Sequence, residues 1–137
     1  MNLHEIVEAH GLWLMGRGGQ RANFFGQNLR GVNLRGLLLR RALFADADLR
    51  DTDLRDADLS GADLSFADLS HARADNAMFV FSDMTGVSAV GTTFVSANLT
   101  GCRTDGADLT DAEFSGAQLR GVSFVKCETK GTVFDKV

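Results

Sequence analysis

A five-residue repeat dominates the sequence and restricts the possible folds more than any other feature. Of the 23 positions spaced five apart from Phe24 to Phe134, eleven are Leu, seven are Phe and one is Met. The four exceptions are Ala74, Ala89, Thr104 and Thr129, and the register never shifts. An α-helix needs a period of about 3.6 residues and a half-buried strand needs a period of about 2. A period of five therefore predicts neither a helical domain nor an ordinary sheet.

Each unit also has a small residue two positions before its large one and a turn residue two positions after it. Twelve of the 23 preceding positions are Ala, and eleven of the 23 following positions are Gly. Residues two apart in an extended segment share one face, so the small and large side chains point inward together. Gly, Asp or Asn at the end of a unit is typical of a turn. We therefore predict a coiled chain whose stacked coils bury these side chains.

Several units share the pattern Ala-Asp/Asn-Leu. They are Ala47-Asp48-Leu49, Ala57-Asp58-Leu59, Ala97-Asn98-Leu99 and Ala107-Asp108-Leu109. These units resemble the pentapeptide repeat family, and the resemblance covers residues 22–136. It implies an all-β fold, a right-handed quadrilateral parallel β-helix with four repeats in each coil. Residues 22–137 would then form about 5.75 coils at 20 residues per coil. The period by itself does not give the number of sides.

Residues 1–21 lie outside the repeat and carry helix signals. Asn2 followed by Glu5 resembles a capping box. Apolar residues at helical spacing follow it, namely Leu3, Ile6, Val7, Trp13 and Leu14. The glycines of segment 16–19 are expected to end the helix. We predict that residues 1–21 form a helical cap and linker, that Trp13 plugs the first coil, and that residues 22–137 form the β-helix.

Composition argues against several classes of protein. Apolar runs are too short for a transmembrane span, and no early Lys or Arg marks a secretory signal, so we expect a cytoplasmic protein without a membrane partner. Cys102 and Cys127 occupy inward positions and are predicted to be buried. His4, His10 and His71 are predicted to be surface residues without partners for a metal. A convex solenoid without inserted loops offers no pocket for opposed acids, so we predict no catalytic residue, metal, cofactor or enzymatic activity.

The charge pattern is the most informative surface feature. Residues 17–41 contain six arginines and no acid, whereas residues 42–119 contain fourteen acids and four arginines, a net charge of −10. Stacking at 20-residue spacing places Asp48 over Asp68 and Asp63 over Asp83, and would pair Arg55 with Asp75 and Asp53 with Arg73. The predicted acidic belt, on two adjoining faces, comprises Asp46, Asp48, Asp51, Asp63, Asp68, Asp83, Asp105, Asp108 and Asp111.

Rows of carboxylates present the charge that DNA-binding proteins recognise, while the overall charge of −4 argues against direct nucleic-acid binding. The resemblance implies the same role, since some family members imitate DNA, notably the quinolone-resistance proteins that engage DNA gyrase. We predict a non-enzymatic DNA mimic that inhibits a nucleic-acid-processing complex. The preferred target is a CRISPR effector subunit that grips duplex DNA near the PAM, which would make this an anti-CRISPR type of phage anti-defence protein.

Two alternatives stay open at this point. The first is binding to DNA gyrase, although the gyrase-directed members have longer coils, a projecting loop and a C-terminal dimerisation module that this sequence lacks. For the same reason we expect a monomer, with Phe124 and Phe134 as the contact if a dimer forms. The second alternative is a passive scaffold, whose aspartates follow the sequence habit of the family and only solvate the surface.

A smaller set of apolar residues falls at positions that should point outward. They are Met78, Val80 and Phe81, together with Phe66 at a corner usually given to Gly or Asp. Exposed apolar groups close together indicate a contact site, and we predict a second partner-binding surface here. The alternative is that they only pack against neighbouring side chains.

Overall fold

The computed structural model of the protein describes all residues, 1–137. One helix, α1, spans Leu3–Leu14, and it lacks the length and apolar character needed to cross a membrane. The rest of the chain contains no continuous strand. It forms single parallel bridges instead, beginning with the pair Asn23 and Leu43 and ending with the pair Glu113 and Val133.

The bridges establish a solenoid with four faces. Every bridge joins residues 20 positions apart, as in Asp48 with Asp68, so one coil contains four five-residue units. This confirms the four-sided coil that the resemblance implied, while the right-handed sense stays a prediction. The four faces are numbered in chain order. The first face carries the column that begins at Phe24, the second that of Leu29, the third that of Leu34 and the fourth that of Leu39.

A tight turn connects each face to the next. In a representative unit the Ala47 N–H donates to the Phe44 carbonyl at 3.0 Å, and the corner residue Asp46 between them has a φ of 59°. Positive φ at this place is typical of a type II turn, where glycine carries no steric penalty. This requirement explains the glycine position of the repeat. Eleven non-glycine residues nevertheless adopt positive φ, including Phe66 and Phe81.

The inward positions form a continuous core through the solenoid. Phe44, Phe79, Phe94 and Phe114 are fully buried, and the Phe94 and Phe114 rings stack with centroids 4.8 Å apart. Leucines and alanines of the repeat fill the remaining space, as the period predicts. The sequence prediction for the cysteines is confirmed for Cys102 and wrong for Cys127, which is only half-buried in the sixth coil, where the inward residues are less enclosed than in the middle of the solenoid.

Helix α1 forms where the sequence predicts it and packs against the first coil. The Asn2 side chain accepts a hydrogen bond from the Glu5 N–H and donates one to the Glu5 carboxylate, both at 2.9 Å. Leu3, Ile6 and Val7 contact the core of the solenoid. The linker then turns back along the helix, where the Gln20 N–H donates to the Ala9 carbonyl at 3.0 Å.

The structure corrects two predictions about α1. His10 was predicted to be exposed, but it is completely buried at the junction with the first coil. Its Nδ1 accepts from the Ala22 N–H at 2.9 Å, so its Nε2–H donates to the Arg40 carbonyl at 2.8 Å. Trp13, predicted as the plug, is half-buried and stacks on His10. The imidazole takes the inner position because it both accepts from an N–H and donates to a carbonyl, whereas an indole can only donate and would leave the Ala22 N–H unpaired.

Corner glycines also make room for side chains of the preceding coil. A methyl group built on Gly101 would lie 2.5 Å from the Phe81 ring, whereas one built on Gly106 meets nothing within 4 Å. Both glycines have positive φ. We expect Gly106→Ala to cost about 1 kcal/mol from backbone strain, and Gly101→Ala to cost about 1 kcal/mol more because the Phe81 ring must leave its rotamer.

Chemical denaturation of both variants, with and without Phe81→Ser, tests this expectation. The excess cost at Gly101 should disappear when Phe81 is replaced. If the two alanine substitutions lower the free energy of unfolding equally when Phe81 is present, the position of the Phe81 ring does not require a glycine at 101.

Candidate functional site

Five aspartates of the predicted belt occupy the same place in their units and have a structural role as well as a charge. Each accepts a hydrogen bond through Oδ1 from the backbone N–H two residues later, at 2.9–3.2 Å. They are Asp48, Asp63, Asp68, Asp83 and Asp108, and all five are half-buried. Asn98 makes the same bond to the Thr100 N–H at 3.1 Å. An amide therefore serves the turn as well as a carboxylate does.

The predicted belt residues fall on the first and second faces and their corners. Asp63 and Asp83 are bridged neighbours on the first face, and Asp48 and Asp68 are bridged neighbours on the second. The rows are then interrupted, since Arg103 follows Asp83 and Ser88 separates Asp68 from Asp108. The remaining belt residues lie at or beside the corners of these faces, namely Asp46, Asp51, Asp105 and Asp111.

Arginines neutralise two of the nine belt residues. Arg50 donates two hydrogen bonds to Asp48, at 2.9 and 2.7 Å, and this guanidinium lowers the pKa of the Asp48 carboxyl to about 2. Arg30 pairs with Asp51 at 3.0 Å across the boundary between the first and second coils. The part of the predicted belt in the second coil therefore carries less net charge than the sequence count indicates.

Arginines of the basic segment also pair with further aspartates of the acidic segment, so the two segments do not form separate charged regions on the surface. Arg35 pairs with Asp56 at 3.2 Å, and Arg40 lies 3.7 Å from Asp58. The predicted pairs of Arg55 with Asp75 and of Asp53 with Arg73 do not form. Arg55 instead pairs with Asp53 of its own unit at 2.7 Å, because the two side chains emerge side by side from the same extended segment.

The seven belt carboxylates that arginines do not neutralise define a smaller region, which we call the acidic surface. It comprises Asp46, Asp63, Asp68, Asp83, Asp105, Asp108 and Asp111. Six of them form no ion pair within 4.0 Å, and Asp68 has only a contact with Arg50 at 3.9 Å. Six of these seven carboxylates lie in the third to fifth coils, and Asp46 is the only one in the second.

Other reactive side chains show no catalytic or metal-binding arrangement. Burial raises the pKa of the Cys102 thiol to about 12, which keeps it protonated and unreactive as a nucleophile. His4 lies 3.1 Å from Glu8 on the exposed side of α1, and His71 is an exposed corner residue. No three His, Cys, Asp or Glu side chains are grouped to hold a metal ion.

The predicted apolar residues lie in two places. Phe66, which is 63% exposed, occupies the corner between the first and second faces. Met78 and the half-buried Val80 lie on the fourth face, and Phe81, 73% exposed, occupies its corner with the first face. Sequence analysis missed Leu38, which is 62% exposed on the fourth face. The sequence did contain a signal for Leu38. It stands in the outward position of its unit, and on the other three faces that position is polar throughout the first three coils, except at Leu43.

Comparison with known structures relates the chain to other solenoids. HetL from the cyanobacterium Nostoc sp. strain PCC 7120, a pentapeptide repeat protein involved in the regulation of heterocyst differentiation, matches with 33% identity and a TM-score of 0.57. The match covers 82% of this chain and 55% of HetL, so this chain spans about half of its relative.

Two further structures are similar at lower TM-scores. The pentapeptide repeat protein Rfr23 from the cyanobacterium Cyanothece 51142 matches with 27% identity and a TM-score of 0.46, over 82% of this chain and 91% of Rfr23. The plasmid-mediated fluoroquinolone resistance protein QnrB1 matches with 16% identity and a TM-score of 0.38, over 78% of this chain and 67% of QnrB1. Neither match carries an argument about function.

Sequence comparison gives the family. No curated protein sequence matches the chain significantly. The family model for pentapeptide repeats matches residues 20–56, 52–88 and 90–125, which is most of the chain. Together with the solenoid of four units per coil, this match shows that the chain belongs to the pentapeptide repeat family.

Proposed function

We propose that the protein is a non-enzymatic, DNA-mimicking inhibitor whose acidic surface occupies the DNA-binding site of a partner protein. The observation that carries this proposal is the pair of unpaired, bridged carboxylates Asp63 and Asp83 beside Asp68 on the adjoining face. Each is fixed by its hydrogen bond to the following turn. The charges are therefore held in place before binding, which lowers the entropy lost on association.

The density of charge is comparable with that of DNA but lower. Seven carboxylates over about four coils, at ~4.8 Å per coil, give roughly one charge per 2.7 Å of solenoid axis. Duplex DNA carries one charge per ~1.7 Å. A groove of Lys and Arg side chains built for DNA would recognise such a surface by its field and shape. Association should be fast and should weaken with added salt.

The proposed target is a complex that grips duplex DNA, as a CRISPR effector does near the PAM. DNA gyrase is the competing target, and a passive scaffold is the alternative without such a partner. A single assay separates the three. Binding of labelled duplex DNA to a purified CRISPR effector and to gyrase is measured with increasing amounts of this protein, and displacement from one of them identifies the target.

Removing four charges from the acidic surface tests the proposal. In the variant Asp63→Asn, Asp68→Asn, Asp83→Asn and Asp108→Asn, the turns should persist because Asn98 already makes the same hydrogen bond. We expect an unchanged melting temperature and an affinity for the target at least ~10-fold lower, equivalent to about 1.4 kcal/mol. Surface plasmon resonance at two salt concentrations measures both the affinity and its salt dependence.

A matched control removes four acids from the other two faces. Asp58→Asn, Asp75→Asn, Glu113→Gln and Asp135→Asn change the net charge by the same amount but leave the acidic surface intact. This control should retain most of the affinity of the unmodified protein. Equal losses in the two variants would mean that the target senses only net charge, and no loss in the first variant would reject mimicry.

A further inference from the structure

The fourth face has a second unusual feature, an exposed apolar surface. Leu38 and Met78 occupy the outward position of their units and are bridged to Asp58, which lies between them. Met78 is 42% exposed, and Phe81 at the adjoining corner is the most exposed phenylalanine of the chain. Exposed apolar side chains that form a patch indicate a contact site.

Met78 and Phe81 border a depression between the end of α1 and the fourth face. Its lining includes Leu14, Arg40, Arg41, Met78, Val80 and Phe81. Gly61 stands between Arg41 and Phe81 in the same column of corner residues, and its missing side chain leaves the depression open there. The depression is therefore lined by apolar side chains together with Arg40, Arg41 and Asp58.

The Phe81 side chain is exposed but restricted in its motion, and it does not contribute to the core. Its backbone has a φ of 57°, a conformation that glycine or Ser96 adopts at other corners and that disfavours a bulky residue. Its ring rests on Gly101 of the next coil, which limits its freedom before any partner binds. Aromatic side chains held in this way contribute large contact area at low entropic cost, and they are enriched at interfaces.

The charges of this surface oppose those of the acidic surface. Arg40 is exposed and lies 3.7 Å from Asp58, the one acid in the lining of the depression. Arg41 is exposed and lies with its guanidinium 4.9 Å from the centre of the Trp13 ring. A carboxylate of a partner can pair with Arg41 and can compete with Asp58 for Arg40, and the net positive charge of the lining disfavours a basic segment. The complementary partner therefore combines acidic groups with an apolar side chain.

We propose that this apolar-basic surface, formed by Leu38, Arg40, Arg41, Met78, Val80 and Phe81, binds an acidic segment of a partner protein. The segment places an aromatic or large aliphatic side chain against Met78 and Phe81 and its carboxylates on Arg40 and Arg41. The fourth face is opposite the second, but at the Phe81 corner it adjoins the first face, which carries Asp63 and Asp83. This proposal does not depend on DNA mimicry by the acidic surface.

A displayed library of random twelve-residue peptides, selected on the immobilised full chain, tests the proposal without assuming a partner. We expect the enriched peptides to carry net negative charge and at least one aromatic or large aliphatic residue. Synthetic copies should bind the double variant Met78→Asn and Phe81→Ser at least ~10-fold more weakly. Asn98 and Ser96 occupy the corresponding places elsewhere in the chain, so this variant should fold and melt like the unmodified protein.

Two controls give each outcome a clear meaning. Arg40→Gln with Arg41→Gln should weaken peptide binding most at low salt, and the four-asparagine variant of the acidic surface should leave it unchanged. The proposal is overturned if no peptide is enriched, if the enriched peptides are basic, or if they bind the Met78 and Phe81 variant as tightly. The proposal is also overturned if light scattering detects a dimer of the unmodified protein and a monomer of the Met78→Asn and Phe81→Ser variant. The surface would then bind a second copy of the chain.

Discussion

Replacing His10 with alanine is expected to destabilise the junction between α1 and the first coil by about 3–5 kcal/mol. The imidazole is completely buried and hydrogen-bonds both the Ala22 N–H and the Arg40 carbonyl. Its removal leaves a cavity and two backbone groups without partners. Either effect alone costs on the order of 1–3 kcal/mol.

Amide hydrogen exchange of residues 3–14, together with a denaturation curve, measures the effect. Exchange in α1 should accelerate at least ~100-fold, because a loss of about 3 kcal/mol corresponds to that factor. His4→Ala is the matched control, since His4 is exposed on the same helix. Exchange rates in α1 that stay equal in the two variants would show that His10 does not hold the helix in place.

The same side chain makes the junction sensitive to pH. Burial lowers the pKa of His10 below its ordinary value of 6.5, and the nearby positive charge of Arg21 adds to this effect. The unfolded chain therefore binds the proton first. The stabilisation from neutral His10 is fully present above about pH 6.5 and is lost as the pH falls below that value. We expect this loss of stability between pH 7 and 5 in the unmodified protein and its absence in His10→Ala.

Phe94→Ala is expected to cost about 3–5 kcal/mol, the other large effect. Phe94 is fully buried, stacks on Phe114 with centroids 4.8 Å apart and meets the edge of Phe79 at 5.7 Å. Its loss opens a cavity in the middle of a column that continues through Phe114 to Phe134. Coils in a solenoid stabilise only their neighbours, so the fourth to sixth coils should unfold before the first.

Thermal and chemical denaturation test this expectation, with two variants as references. Phe94→Leu should cost clearly less, because leucine occupies the same position in eleven of the 23 units. Phe25→Ala should change little, because that ring is exposed. A Phe94→Ala protein as stable as Phe25→Ala would mean that the column is not a continuous core.

The inward half of the structure could be predicted from the sequence, since it follows from one period. A residue at an inward place, such as Leu54 or Ala57, meets the same surroundings in every coil, so its burial follows from its position in the unit. The acidic residues were placed on the correct faces for the same reason. Their ion pairs could not be predicted. Asp48 pairs with an arginine two residues away and Asp51 with one twenty-one residues away. The period places each side chain on a face, but it does not determine which of several nearby arginines the side chain pairs with.

The features outside the repeat depended on tertiary contacts. The helical pattern of residues 2–14 predicted α1 correctly, but it ranked Trp13 above His10 by hydrophobicity. The first coil presents an unpaired N–H at Ala22 and an unpaired carbonyl at Arg40, and only a side chain that donates and accepts can be buried between them.

The repeat in the sequence was therefore enough to predict a solenoid and its inward columns, and the residues before it were enough to predict the helix. These properties repeat locally, and each unit imposes the same steric and hydrophobic demands. The stacked coils were needed to show which charges remain unpaired, which residue seals the first coil, and that Met78 and Phe81 border a depression beside two arginines. Those properties depend on distances between side chains that come together only after the coils have stacked.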